Sequence, residues 1–187
     1  DSPSHALVAN GLVHYYPGND LPAVDGLDLT LEKGEIFGLL GPNGAGKTTA
    51  ISILSTILRP KAGSVMVGGL DLYRKKRAVR RIIGLVPQEI ALYPMLTTRE
   101  NLRFFGKLQG LKGDRLRERI DETLASVGLT NRADQPVGTF SGGMKRRANL
   151  AAGMLHQPQL LFLDEPTVGI DAQSRQLIME QIETLRD

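Results

Sequence analysis

Three short stretches of this 187-residue chain combine residue types that could handle a polyphosphate. Gly41-Pro42-Asn43-Gly44-Ala45-Gly46-Lys47-Thr48 has the spacing glycine, four residues, glycine, lysine, threonine. Its glycines leave backbone N–H groups open to oxyanions, and a helix starting at Lys47 would add the positive end of its dipole. Lys47 would neutralise the β- and γ-phosphates and the Thr48 hydroxyl would coordinate magnesium. Leu160-Leu161-Phe162-Leu163-Asp164-Glu165 is an apolar run ending in two acids, which sets carboxylates at the carboxyl edge of a sheet, where ligands of α/β proteins bind. Asp164 suits a cation's water shell, and Glu165 the polarisation of an attacking water. Ser141-Gly142-Gly143-Met144-Lys145 opens a helix with almost no side chain on its first residues, making a second anion site of N–H groups and a hydroxyl. Taken alone, that last motif reads as a serine N-cap; the combination gives it weight.

Such residues need a sheet to hold them. Glu35 to Leu40 is apolar on both faces, as a buried central strand would be, and runs directly into the glycine loop. Residues 6–13 and 24–31 read as extended, with Leu27, Leu29 and Leu31 at period two, suggesting an antiparallel sheet edge. Further strands are expected at 64–67, 82–86 and 160–163, and helices at 47–58, 73–81, 98–108, 115–127, 142–156 and 172–186. Thr97 stands three residues before Glu100, the spacing of a capping box. Asp114 can cap the next helix, Leu116, Ile120, Leu124 and Val127 form its apolar stripe, and Gly128 supplies a left-handed stop. The reading is therefore α/β: a mixed central sheet with antiparallel edge strands and an inserted helical subdomain. Residues 1–88 form the first part of the core, 89–157 the helical subdomain, and 158–187 the return to the core.

Composition narrows the classes. Apolar residues at 41% and charged residues at 23% are those of a globular chain, excluding disorder and coiled coil. Without cysteine there is no disulfide, thiolate metal site or catalytic thiol, and His5, His14 and His156 are too scattered for a metal cluster. No apolar run approaches the roughly 20 residues of a membrane helix, and Asp1 to Ser4 lack the features of a signal peptide, so the expectation is a cytoplasmic chain. The basic stretch from Arg74 to Arg81 lacks interleaved aromatics and reads as a solvated helix face, so no direct nucleic-acid partner is expected.

Order and spacing of these motifs resemble the nucleotide-binding domain of ATP-binding cassette (ABC) transporters over essentially the whole chain, with a P-loop NTPase core. Gly41 to Thr48, with Thr49 behind it, looks like Walker A; Leu160 to Asp164 like Walker B, followed by the catalytic glutamate Glu165; and Phe140 to Met144 like the family signature. Gln88 matches the Q-loop glutamine, a candidate magnesium ligand with Thr48 and Asp164, and Asp171 the D-loop. Tyr16 is similar to the aromatic that stacks on adenine, with Tyr15 its rival. Phe140 and Met144 depart from the commoner leucine and glutamine and resemble exporter-type ATPases. The resemblance implies ATP and magnesium as cofactors. It also implies hydrolysis through Glu165, Gln88 and Lys47, and a head-to-tail homodimer or a pairing with a related ATPase subunit. In that pair Ser141, Gly142 and Gly143 meet the partner's nucleotide. A transmembrane permease subunit would dock on residues 89–105, at the inner face of the cell membrane. The family's switch histidine follows the D-loop by a few tens of residues and is not among 172–187, which implies weak or no turnover for this stretch alone. The alternatives are a soluble ABC-type ATPase acting on ribosomes or DNA, and a regulatory module with little turnover.

Overall fold

The computed structural model describes residues 5–186; the expectation placed on Asp1 to Ser4 lies outside them. The chain divides into two compact units, Asp1–Ile83 and Gly84–Asp187.

The first unit is built on a four-stranded antiparallel sheet. Strand β1 (His5–His14) lies between β2 (Val24–Glu32) and β3 (Ala62–Val67), and β4 (Leu70–Asp71) pairs outside β3. Leu7 stands opposite Leu31 on one side and Val67 on the other, and Ala9 opposite Leu29 and Val65, so alternate residues of β1 enter the core. Register shifts on both sides of β1 fall near Gly11, whose φ of 56° suits an irregularity, and its N–H donates to Asp28 Oδ1 at 2.6 Å. Strand β4 was not expected from the sequence. Its signal was Gly68-Gly69, two residues at φ 54° and 76°, the two-residue turn that closes a tight hairpin. Helix α1 (Lys47–Leu54) ends four residues before the expected limit, and α2 (Lys76–Ile82) starts three residues after the expected one.

The stretch from Glu35 to Leu40 departs from expectation. It is not a strand: no pairing forms there among the described residues, and Ile36, Phe37 and Leu40 are 48%, 47% and 92% exposed. Apolar character on both faces makes a buried strand only where a neighbour is available on each side. The Gly34 turn at φ 71° ends β2, and the stretch that follows takes no partner among the described residues. The strands form the four-stranded antiparallel sheet and a two-stranded pair of β5 (Ile83–Val86) and β6 (Leu160–Leu163), which with the helices give the α/β fold read from the sequence.

The second unit is chiefly helical: α3 (Thr98–Leu108), α4 (Gly113–Ser126), α5 (Gly142–Met154) and α6 (Ala172–Arg186). The capping box forms as the spacing predicts, with Thr97 Oγ1 accepting from the Glu100 N–H at 3.1 Å and Glu100 Oε2 from the Thr97 N–H at 2.8 Å. Helix α4 begins one residue before Asp114, which makes no cap. It lies instead in the first turn, paired with Arg117, where its charge meets the helix dipole. Leu116, Ile120 and Leu124 are buried as expected, and Gly128 ends the segment at φ 64°. Helix α5 packs closely on β5: a Cβ at Gly153 would meet the Val86 side chain, and one at Gly84 the Gly153 carbonyl and Leu161.

Candidate functional site

In the first unit the glycine loop joins the Glu35 to Leu40 stretch to α1. Gly44 and Gly46 take φ of 85° and 81°, the left-handed region open to glycine at no steric cost. A Cβ at Gly46 would in addition run into the Ala23 carbonyl, so that position admits only glycine on two counts. A Cβ at Gly41 would lie 3.2 Å from the Ala45 side chain, and Ala45 N–H donates to the Pro42 carbonyl at 3.2 Å, closing the turn that carries Asn43. Helix α1 starts at Lys47 with no side-chain cap, so the loop itself faces its first N–H groups. The Lys47 ammonium lies across the loop, donating to the carbonyls of Gly41 at 2.7 Å and Pro42 at 2.9 Å. Thr48 follows it in the first turn, and Thr49, which is buried, accepts or donates a hydrogen bond with the Tyr16 hydroxyl at 3.1 Å. Tyr16 also stands edge-on to His14 with centroids 5.1 Å apart. These contacts distinguish it from Tyr15. Both tyrosines line an open groove of about 840 Å³ with His14, Leu58, Arg59 and Lys61.

In the second unit β6 ends as the apolar run predicts. Asp164 is buried, and its N–H continues the pairing by donating to the Val86 carbonyl at 3.0 Å. Glu165 sits just past the strand at φ 48°, a left-handed backbone unusual for a glutamate. Gln88, two residues beyond β5, donates its side-chain N–H to Glu165 Oε2 at 3.0 Å. The two sheet ends thus bring together three of the residues singled out by sequence.

The serine-glycine motif opens α5. Ser141 Oγ accepts from the Met144 N–H at 3.3 Å, a true N-cap, leaving Ser141 and Gly142 exposed. Gly143 is buried, and a second reason for glycine appears there: a Cβ would overlap the Ser174 hydroxyl and approach Asp171 Oδ2. Asp171 precedes α6 and accepts from the Ser174 N–H at 2.8 Å, a bond that holds its carboxyl below the ordinary carboxylate range.

With this geometry in view, the sequence profile of the family described as ABC transporter matches residues 24–168. The chain belongs to the ABC transporter family. It is 51% identical over 164 residues to the linearmycin resistance ATP-binding protein LnrL of Bacillus subtilis, covering 88% of this chain and 53% of that protein. It is 42% identical over 181 residues to the doxorubicin resistance ATP-binding protein DrrA of Mycobacterium tuberculosis, covering 97% of this chain and 55% of that protein. The chain therefore spans about half the length of the curated relatives it matches. Among solved structures it resembles cbiO1 from Clostridium perfringens, part of the ABC transporter complex cbiONQ, with a TM-score of 0.86 and 28% identity over 98% of this chain and 74% of that one. A dimeric ATP-binding cassette, MJ0796 bound to ADP and Pi, shares the fold with a TM-score of 0.87 at 24% identity, covering 97% of this chain and 83% of that chain.

Sequence reading of this ABC chain missed a residue that fixes the loop before α3. Asn101, fully buried in α3, accepts from the Tyr93 N–H at 2.8 Å and donates to the carbonyls of Tyr93, Leu96 and Thr97. It pins the loop before α3, where Tyr93, Phe104 and Phe105 cluster with centroids 5.2 to 6.4 Å apart, and where Met95 is 86% exposed. The available signal was an amide on the buried face of an amphipathic helix, which demands backbone partners. No helix of the described residues is long and apolar enough to cross a membrane.

Proposed function

We propose that this chain is the ATP-binding and ATP-hydrolysing part of a transporter subunit, and that it drives export through a separate membrane subunit. Its resistance-protein relatives support the direction of transport, and the glycine loop supports the ligand. Gly44 and Gly46 in left-handed conformation, the uncapped start of α1 and the Lys47 ammonium lying within the loop make a cradle of donors that fits a polyphosphate. Asn43, Ala45 and Gly41 contribute backbone to that cradle, and the Tyr16 ring offers a face to the base.

Magnesium fits the donor types. The Thr48 hydroxyl, the Gln88 amide oxygen and the Asp164 carboxylate are hard oxygen ligands, and the Gln88 amide nitrogen is already committed to Glu165. Among the described residues no cluster of three or more His, Asp or Glu could hold a metal alone. That suits a cation held jointly by one or two protein oxygens and by substrate phosphates. When bound, magnesium ATP supplies the transferable γ-phosphoryl group, with the cation offsetting the charge on its leaving oxygens. Lys47 holds and neutralises the phosphates, Glu165 accepts a proton from the attacking water, and Gln88 keeps the Glu165 carboxylate aimed.

The observation that carries hydrolysis is the Gln88 bond to a Glu165 held at φ 48°. Glu165→Gln should leave nucleotide binding intact and slow phosphate release by about 10² to 10⁴, because the amide keeps the shape and cannot take the proton. Gel filtration with ATP should then show a dimer in which the exposed Ser141 and Gly142 of each copy meet the other's nucleotide. Full turnover by Glu165→Gln would overturn the assignment. The membrane subunit is assigned to the Tyr93, Met95 and Phe104 face, an apolar and aromatic surface suited to an amphipathic helix. That face belongs to the proposed helical subdomain, residues 89–157, between the first part of the core, 1–88, and its return, 158–187.

A further inference from the structure

Gln88 lies in a loop with no helix or strand ladder of its own, so something other than secondary structure must fix its aim. The structure supplies two side chains of α5. Asn149 is 3% exposed and spends its whole amide on the loop. Its Nδ2 donates to the carbonyls of Pro87 at 3.2 Å and Glu89 at 3.5 Å, and its Oδ1 accepts from the Ala91 N–H at 3.1 Å. Arg146, half-buried and three residues earlier on the same face, donates to the Gln88 carbonyl between them, and its other terminal nitrogen reaches the Val168 carbonyl at 3.5 Å. Three consecutive carbonyls, Pro87, Gln88 and Glu89, are thus gripped from one helix face. The Gln88 side chain leaves this grip and meets Glu165 Oε2 at 3.0 Å. Val168 belongs to the turn after Glu165, where its own N–H donates to the Glu165 carbonyl at 3.3 Å. Arg146 therefore holds the backbone behind both partners of the Gln88 to Glu165 bond.

We propose that Arg146 and Asn149 are positioning residues for hydrolysis, making the Gln88 loop and the helix that begins at Ser141 one rigid body. Neither is a catalytic residue, since their polar atoms are used on the chain's own backbone. The inference rests on the hydrolytic reading of Gln88 and Glu165 and adds a consequence: a displacement of the Ser141 end of α5 re-aims Gln88 at Glu165 in the same chain. A contact made at the α5 terminus by a second copy would reach the hydrolytic carboxylate through two side chains, with no rearrangement of the core.

The test is steady-state ATP hydrolysis by the full-length protein, with nucleotide affinity measured separately. Arg146→Ala and Asn149→Ala should each lower kcat by about 10- to 100-fold, the cost of misplacing a reacting group by about an ångström, while KM and affinity move less than about threefold. Arg146→Lys should recover part of the loss, because it keeps one donor for the Gln88 carbonyl. Should buried Asn149→Ala fail to fold, the Arg146 variants carry the test. In a Gln88→Ala background, adding Arg146→Ala should change kcat by less than about twofold, whereas independent structural damage would multiply. Unchanged kcat in a folded Arg146→Ala protein, a loss confined to KM, or full additivity with Gln88→Ala would each overturn the proposal. If Glu165→Gln also turns over normally, the hydrolytic reading has failed; if Glu165→Gln is slow and Arg146→Ala is not, only the positioning role has.

Discussion

The chain carries two helix starts that sequence alone makes look equivalent, at Lys47 and at Ser141, and they are built on opposite plans. At Lys47 no side chain caps α1, and the preceding loop reaches the helix through two left-handed glycines. At Ser141 the hydroxyl already accepts from the Met144 N–H, and Gly143 is pressed against Ser174 and Asp171. The first end is shaped by the left-handed loop that leads into it; the second is organised to be a stable edge of a packed unit. In the first place glycine serves a left-handed conformation, and at Gly46 close approach as well; in the second, at Gly143, it serves close approach. A glycine-rich helix start is thus two physical objects, and the dihedral angles and neighbours tell which one is present.

The largest effect expected from this contrast is on affinity. Lys47→Ala removes the one ammonium lying in the glycine loop, and a charge-assisted bond worth about 1.5–3 kcal/mol corresponds to roughly 10- to 150-fold weaker magnesium ATP binding. Ser141→Ala should leave the affinity of its own chain within about twofold. Calorimetric titration of both variants breaks the comparison if the two lose affinity equally.

A smaller effect is expected on stability, and in the reverse direction. Gly143→Ala forces a methyl into the Ser174 hydroxyl and should cost about 1–3 kcal/mol as overpacking, with Ser174→Gly restoring part of it. Gly44→Ala meets nothing within 4 Å and should cost only the left-handed strain of about 1–2 kcal/mol. Denaturant melts of the three proteins rank these costs; a Gly143→Ala protein as stable as the parent would remove the packing role.

The smallest effect is a pH dependence to which both units contribute; in the first, the backbone N–H groups of Arg74 and Tyr73 hold the Asp71 carboxyl below its ordinary range. The Thr97 N–H holds the Glu100 carboxyl below its ordinary 4.5, and the Ser174 N–H does the same for Asp171. A depressed folded pKa contributes stability that is present above the unfolded value and is lost as pH falls through the folded one. Melting temperature should therefore fall between about pH 5 and about pH 3, and less steeply in Glu100→Gln. Equal slopes would show that the capping carboxylate carries none of it.

Elements whose partners lie close in sequence were legible. The capping box at Thr97, the α4 stripe, the Gly128 stop and the apolar run to Asp164 are all set by spacings of a few residues, and all formed as read. The Glu35 to Leu40 stretch was misread because apolar composition reports a wish for burial, while a strand also needs a paired neighbour, which composition does not report. Within the candidate site, motif residues were legible because their chemistry repeats. Arg146, Asn149 and Asn101 were not, because an arginine or asparagine bonded to backbone carbonyls leaves no pattern until the loop it holds is placed. The αL geometry of Glu165 was equally hidden, since a positive φ is announced in sequence only by glycine or asparagine.

The placement of the aromatic rings gives the molecule a built-in optical reporter. With four tyrosines and no tryptophan, near-ultraviolet emission is dominated by the phenol rings over the weakly emitting phenylalanines, and no indole drains it by energy transfer. Those rings mark different places. Tyr16 sits on the groove beside the glycine loop, Tyr93 on the exposed aromatic face, and Tyr73 under Arg59, where burial pushes its phenol up to about 12. A nucleotide base laid on Tyr16 and a helix laid on Tyr93 would quench separate fractions of the same signal. Single Tyr→Phe exchanges would then assign each fraction, so that both ligands could be followed in real time on unlabelled protein.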